Sequence, residues 1–121
     1  MKIEEYTLVR QGLPPLKFAG SIIGAASTDD SEDPFLTIRI YRTKGGTFIG
    51  EIRRQIVDRR NRTGYDRPEY YANACVGPNP STIIEWLKEG DETLGKISQA
   101  AIEGACKVDE QFAAYWVEHV D

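Results

Sequence analysis

Two short stretches carry the plainest pattern in the chain. Leu36, Ile38 and Ile40 alternate with Thr37, Arg39 and Tyr41, and Phe48, Gly50 and Ile52 alternate with Ile49, Glu51 and Arg53. Four residues, Thr43-Lys44-Gly45-Gly46, lie near the join. Period-two alternation on both sides of a glycine pair predicts a β-hairpin over 36–53 with one buried face. The glycines supply the positive φ that a tight turn needs.

Weaker alternation lies upstream. Ile3–Val9 reads as a short strand. Gly12-Leu13-Pro14-Pro15 reads as a break, because two prolines lack backbone N–H groups. Leu16, Phe18 and Ile22, with Gly20 and Gly24 between and after them, suggest a second strand with room for a bulge or a close backbone approach. The polar, acidic run Ser27–Pro34 reads as an exposed loop. Downstream, Glu69–Val76 suggests a further strand with Tyr70, Ala72, Ala74 and Val76 on one side. Gly77-Pro78-Asn79-Pro80 ends it, Ser81-Thr82 can cap a short helix through Glu89, and Gly90 closes that helix.

The period changes near the end of the chain. At 100° per residue, Leu94, Ile97, Ala101, Ala105, Val108, Phe112, Tyr115 and Trp116 fall within a sector of about 100°. With Asp91 as N-cap and Glu92 in the first turn, this predicts one long amphipathic helix. Gly104 and Lys107-Val108-Asp109 are its weak points. Strands first and helices afterwards give an α+β fold. We expect an antiparallel β-meander of four to five strands, then a short and a long helix packed on one face of the sheet, as a single domain over 1–121.

Composition adds limits. The 121 residues are 40% hydrophobic and 28% charged, with a net charge of −4. That is ordinary for a globular domain and large enough for a core without metals or disulfides. Charge is unevenly spread. Residues 1–52 carry −1, residues 53–84 carry +3 from six arginines against three acids, and residues 85–121 carry −6. Two cysteines, Cys75 and Cys106, match neither a disulfide framework nor zinc-ligand spacing. No apolar run is long enough to span a bilayer, and the first residues lack the pattern of a signal peptide. The expectation is a cytoplasmic protein without cofactor, metal or membrane partner.

Five features carry candidate chemistry. The outward side of the hairpin presents Arg39, Tyr41, Ile49, Glu51 and Arg53. Tyr and Arg are enriched at binding hot spots, so this face is the leading candidate for a protein partner or a homodimer. The second feature is Arg59, Arg60, Arg62 and Arg67 interleaved with Tyr65, Tyr70 and Tyr71. Guanidinium groups pair with phosphate and tyrosine rings stack on bases, so this stretch is a nucleic-acid candidate. It matches no RNA-binding motif, and the net charge opposes non-specific affinity. A third is the row Glu92, Glu103, Glu110 and Asp121, opposite the apolar stripe, which would suit an inhibitor facing a basic protein. The fourth is the turn Gly77–Thr82, which leads into a helix but lacks the lysine and glycine spacing of a phosphate loop.

Catalysis is the fifth. His119 is the only histidine. Thirteen residues separate it from Cys106, about 20 Å along an unbroken helix, so those two form no nucleophile–base pair. Cys75, in a strand among alanines, suits a buried inert thiol. No residue set names an enzymatic site. The leading expectation is a small binding or regulatory module that acts through protein contact, self-association included. Weak nucleic-acid binding through the Arg/Tyr segment and inhibition through an acidic helix face are the alternatives.

Overall fold

The computed structural model describes residues 2–28, 35–56, 69–88 and 95–116. Among them are five strands, β1 (Glu4–Arg10), β2 (Leu13–Ser27), β3 (Phe35–Thr43), β4 (Phe48–Ile56) and β5 (Glu69–Gly77), followed by α1 (Pro80–Lys88), α2 (Lys96–Val108) and α3 (Glu110–Tyr115). The strands form one antiparallel sheet in chain order, and the helices pack against it. This is the expected α+β meander.

The central hairpin pairs Leu36 with Arg54, Ile38 with Ile52, Ile40 with Gly50 and Arg42 with Phe48. Its turn holds because the Thr43 hydroxyl accepts from the Thr47 backbone N–H at 3.0 Å, and Gly46 takes a φ of +92°. Ile38, Ile40 and Phe48 point to the helices and join Ile83, Ile84, Leu87, Ala101, Ile102, Ala105 and Phe112 in the main core. Burying each large side chain there contributes roughly 1.5–3 kcal/mol.

β2 is longer than the sequence suggests and runs through Pro14 and Pro15. The register explains how. Leu8 pairs with Leu16 and Arg10 with Leu13, so the two prolines fall at a shift in the ladder, where a missing N–H costs no regular bond. Farther along, β2 runs close against β3 at Gly20, which pairs with both Glu4 and Thr43, and its ladder with β3 shifts between Ile22 and Gly24. A Cβ on Gly20 would collide with the Arg42 carbonyl and approach the Thr43 Cα within 2.9 Å. The first half of β2 pairs with β1 and the second half with β3. The β1–β2 hairpin therefore folds over the face of β3–β5 that the helices leave uncovered. Its tip reaches β5, where the Gln11 N–H donates to the Ala72 carbonyl at 3.0 Å. Under it lies a second core of Leu8, Tyr41, Ile49 and Ala74, with Tyr6, Leu16 and Phe18 packed around it.

The helices depart from expectation in three places. Pro80, not Ser81, opens α1, and the cap is Asn79, whose Oδ1 accepts from the Thr82 N–H at 3.2 Å. Gly95 is extended and α2 begins after it; the expected N-cap Asp91 lies outside the described residues. The expected long helix is broken at Asp109. That residue is extended (φ −122°, ψ 121°) and caps α3, its Oδ1 accepting from the N–H groups of Gln111 and Phe112 at 2.9 and 3.0 Å. Its Oδ2 accepts from Arg42 Nη1 at 2.7 Å, which ties the break to β3. A buried carboxylate with three donors outcompetes continuation of the helix. The apolar stripe is therefore not buried throughout. Ala101, Ala105 and Phe112 are core, whereas Val108, Tyr115 and Trp116 are exposed.

Candidate functional site

The five hairpin residues share the face of the sheet opposite the helices, as alternation requires. Tyr41 pairs with Ile49 and Arg39 with Glu51, and Arg53 lies one step farther along β4. Their exposure is the correction. Tyr41, Ile49 and Glu51 are each 1% exposed, because the β1–β2 hairpin lies over them. The rings of Tyr6 and Phe18 meet the Tyr41 ring edge-on at 4.9 and 5.1 Å. Tyr41 and Ile49 are core residues. Of the five, Arg39 and Arg53 reach solvent, each with 37% of its side chain exposed.

The cluster is built around a buried charge. Glu51 Oε1 accepts from the Tyr41 hydroxyl at 2.7 Å, and Oε2 accepts from Arg53 Nε at 2.9 Å. Arg39 Nη1 stands 3.8 Å from Oε1, an ion-pair distance beyond hydrogen-bond reach. Such contacts are what let a carboxylate remain in a dry interior. Burial pushes the Tyr41 hydroxyl well above its ordinary pKa, and the hydrogen bond and negative charge of Glu51 push the same way; the Arg39 guanidinium opposes them.

Around the cluster, among the described residues of β2, β3 and β5, the face is uncharged, and on β1 Glu4 accepts from the Tyr6 hydroxyl at 3.4 Å. By register the face carries Ile22, Ala25 and Ser27 of β2, Thr37 of β3, and Ala72, Ala74 and Val76 of β5. Ile22 and Val76 stand at the two ends of the row through Tyr41 and Ile49 and are 39% and 48% exposed. The free side of β5 is partly blunted: the Ala74 N–H donates to its neighbour's Asn73 Oδ1 at 2.9 Å.

The arginine segment is mostly out of view. Arg59, Arg60, Arg62, Tyr65 and Arg67 lie outside the described residues, as does the Tyr70 side chain. Tyr71 is exposed on the helix side of β5, opposite Arg54 in the ladder. In the acidic row, the break at Asp109 puts Glu103 and Glu110 on two different helices, and Glu92 and Asp121 lie outside the described residues. His119 lies outside them too. Cys75 and Cys106 are half-buried thiols on β5 and α2. Burial, with help from Glu103 and Asp109, raises the pKa of Cys106. Among the described residues no group of three His, Cys, Asp or Glu side chains is placed to hold a metal ion, and no helix is long and apolar enough to cross a membrane.

Sequence reasoning missed the buried acid–base cluster as a unit. The signal was present: Arg39, Glu51 and Arg53 interrupt a hairpin face that also holds Tyr41 and Ile49. Compared with known proteins, the chain matches no family model, no curated protein and no solved structure.

Proposed function

We propose that the chain is a small, non-enzymatic binding module of the cytoplasm that acts through protein–protein contact. Its contact surface is the open part of the sheet face opposite the helices. One observation supports this reading: Arg39 and Arg53 emerge half-exposed there beside a buried carboxylate, on the sheet face that also carries the exposed apolar side chains Ile22 and Val76. Arginine beside apolar side chains is a common composition for a contact hot spot. Holding a guanidinium in place before binding lowers the ordering entropy lost on association.

The burial of Tyr41 and Ile49 decides how to test it. Substituting either disrupts the core rather than the surface. Ile22→Glu with Val76→Glu changes only exposed groups. Affinity capture with the wild type and with this double variant, together with sedimentation velocity for self-association, reads the effect. A partner or second copy held by the wild type and lost by a folded double variant supports the reading. Equal capture by both, or none by either, refutes it.

The second reading, weak nucleic-acid binding through the Arg/Tyr segment, has one supporting observation in the described chain. The exposed Tyr71 ring lies opposite the exposed Arg54 where the strands lead into that segment. Titration with fluorescent oligonucleotides at about 50 and 150 mM salt tests it. Saturable binding that weakens with salt and with Arg54→Ala and Tyr71→Ala favours this reading; its absence ends it.

A further inference from the structure

We propose that the β1–β2 hairpin is an exchangeable arm, and that the chain forms a dimer in which each copy lays residues 2–19 over the other copy's Tyr41, Ile49 and Ala74. The partner is a second copy of this chain. This goes beyond the binding-module reading, because it uses the covered part of the sheet face and does not depend on the open part.

Three observations carry it. The first is that the fold has two separate cores. Among the described residues, the main core draws its members from Ile23 onward, and none comes from the arm. In the second core the arm supplies Leu8, Tyr6, Leu16 and Phe18, and the body supplies Tyr41, Ile49 and Ala74. The body therefore keeps its own core when the arm leaves, so the two units can open independently.

The second is how the arm is seated. Leu8 is buried, but Tyr6, Leu16 and Phe18 are half-buried, and a cavity of about 320 Å3 borders Tyr6 and Phe18. Outside the ladders, backbone bonds from the Gln11 N–H to the Ala72 carbonyl at 3.0 Å and from the Lys44 N–H to the Ala19 carbonyl at 2.8 Å tie it to the body. An identical arm from a second copy restores each of these contacts, so the complementarity that exchange needs is already present within one chain.

The third is the connection. One strand joins arm to body. It passes from β1 to β3 at Gly20, which pairs in both ladders, and its register with β3 shifts between Ile22 and Gly24. Beyond the shift, Gly24 is pinned against the backbone of Ala101 and Ala105 in α2, so the body begins there. The hinge is Gly20–Ile22, where a glycine and a register shift let the strand change direction. Ile22 lies within it and is 39% exposed. In the exchanged dimer the two hinge segments pass each other at the two-fold axis, and the two Ile22 side chains meet. The dimer thus regains the contacts of the closed chain and covers an apolar group that the single chain leaves in water. Its cost is association entropy, which makes it depend on concentration.

The test mixes equal amounts of isotope-labelled and unlabelled full-length chain, unfolds them in urea, refolds them at about 1 mM and separates dimer from monomer by gel filtration. Isotope-filtered NOE spectra then read contacts between labelled and unlabelled chains. The Tyr6 and Phe18 rings lie 4.9 and 5.1 Å from the Tyr41 ring. The expected result is Tyr6–Tyr41 and Phe18–Tyr41 cross-peaks between chains in the dimer, and the same cross-peaks within one chain in the monomer. Ile22→Asp weakens the dimer about tenfold or more and leaves the monomer folded, whereas Val76→Glu, remote from the hinge, leaves the dimer unchanged. A chain that stays monomeric after this refolding overturns the proposal. So does a dimer without cross-peaks between chains, or one undiminished by Ile22→Asp. A dimer that lacks those cross-peaks and is lost with Val76→Glu is a contact through the open face: the exchange is then wrong and the binding-module reading stands. Cross-peaks between chains, with no partner whose capture responds to Val76→Glu, leave the exchange standing without that reading.

Discussion

Gly24 and Gly104 face each other where α2 crosses β2, and alanine at each has the opposite effect. The structure places a Cβ on Gly24 inside the Ala101 carbonyl oxygen, 2.8 Å from the Ala105 backbone N and 3.1 Å from the Ala105 Cβ. The two nearest obstacles are helix backbone, which cannot rotate away as a side chain would. Relief requires α2 to lift from the sheet, and α2 carries Ala101, Ile102 and Ala105 into the core. Overpacking of a tight interior costs typically 1–3 kcal/mol, and a backbone obstacle puts Gly24→Ala at the upper end.

Gly104 differs although it lies across the same contact. A Cβ there meets the Gly24 Cα at 3.6 Å and the Ala25 N at 4.0 Å, both ordinary van der Waals distances. Gly104 lies inside α2, where alanine is favoured over glycine by about 1 kcal/mol. Gly104→Ala therefore stabilises. At about 4 °C per kcal/mol for a domain of this size, Gly24→Ala lowers Tm by about 10 °C and Gly104→Ala raises it by about 4 °C. Thermal melts followed by circular dichroism, with urea titrations to check that m is unchanged, read both values. In the double variant the new methyl groups meet each other, so it falls below the sum of the single effects. A Gly24→Ala protein within about 0.5 kcal/mol of wild type, or a Gly104→Ala protein as unstable as Gly24→Ala, would refute the close packing of α2 on β2.

Other expectations follow from the buried polar groups. Asp109→Ala removes the cap of α3 and the partner of Arg42 and costs about 3 kcal/mol in urea unfolding; Asp109→Asn keeps the cap and costs about half as much. Tyr41→Phe costs about 2 kcal/mol at neutral pH. The folded Tyr41 pKa lies above the unfolded value of 10.0, so its contribution is full below pH 10 and is lost as pH rises toward the folded value; wild-type stability then falls with alkali more steeply than that of Tyr41→Phe, and parallel curves would contradict the burial of the hydroxyl. In a Cys75→Ser background, Cys106 reacts with iodoacetamide at pH 8 more slowly than a free-peptide cysteine, because its thiol pKa is raised by burial and by Glu103 and Asp109; denaturant removes the difference. Replacing Glu51, Arg39 and Arg53 together by Met, Leu and Met leaves Tm unchanged or higher, and a fall of more than about 5 °C would mark the cluster as essential to folding.

Alternation along 36–53 gave both the hairpin and the sides of its residues correctly, since side is a property of the strand alone. Depth is not. Whether Tyr41 and Ile49 lie on a surface or in a core depends on β2 passing from β3 to β1 at Gly20 and carrying β1 over them. At that point Gly20 approaches the Arg42–Thr43 backbone across the sheet too closely for a side chain. The prolines misled for a related reason. Pro14 and Pro15 end a regular ladder but are tolerated at a register shift, and the shift is visible only once Leu8 is seen opposite Leu16. The helical stripe failed at Asp109 because a periodic count registers side chains on one cylinder. It does not register a carboxylate that finds two amide donors and a guanidinium by leaving the helix.

The buried cluster is the one place where fold and function make separable demands. Taking a carboxylate out of water costs several kcal/mol, and its contacts with Tyr41, Arg53 and Arg39 offset that cost without a clear surplus. Methionine and leucine in the same volume would fill the face with no charge to desolvate. Folding alone therefore gives little reason for Arg39, Glu51 and Arg53 to be polar. What the polar version has and the apolar one lacks is a pair of guanidinium groups held at fixed positions on the rim, 37% exposed, beside apolar side chains. Glu51 is the means of holding them: it is inaccessible itself, but it sets where its partners point. On this argument the protein–protein reading stands on the exposed ends of two arginines, with the buried Tyr41 and Ile49 as the floor that supports them.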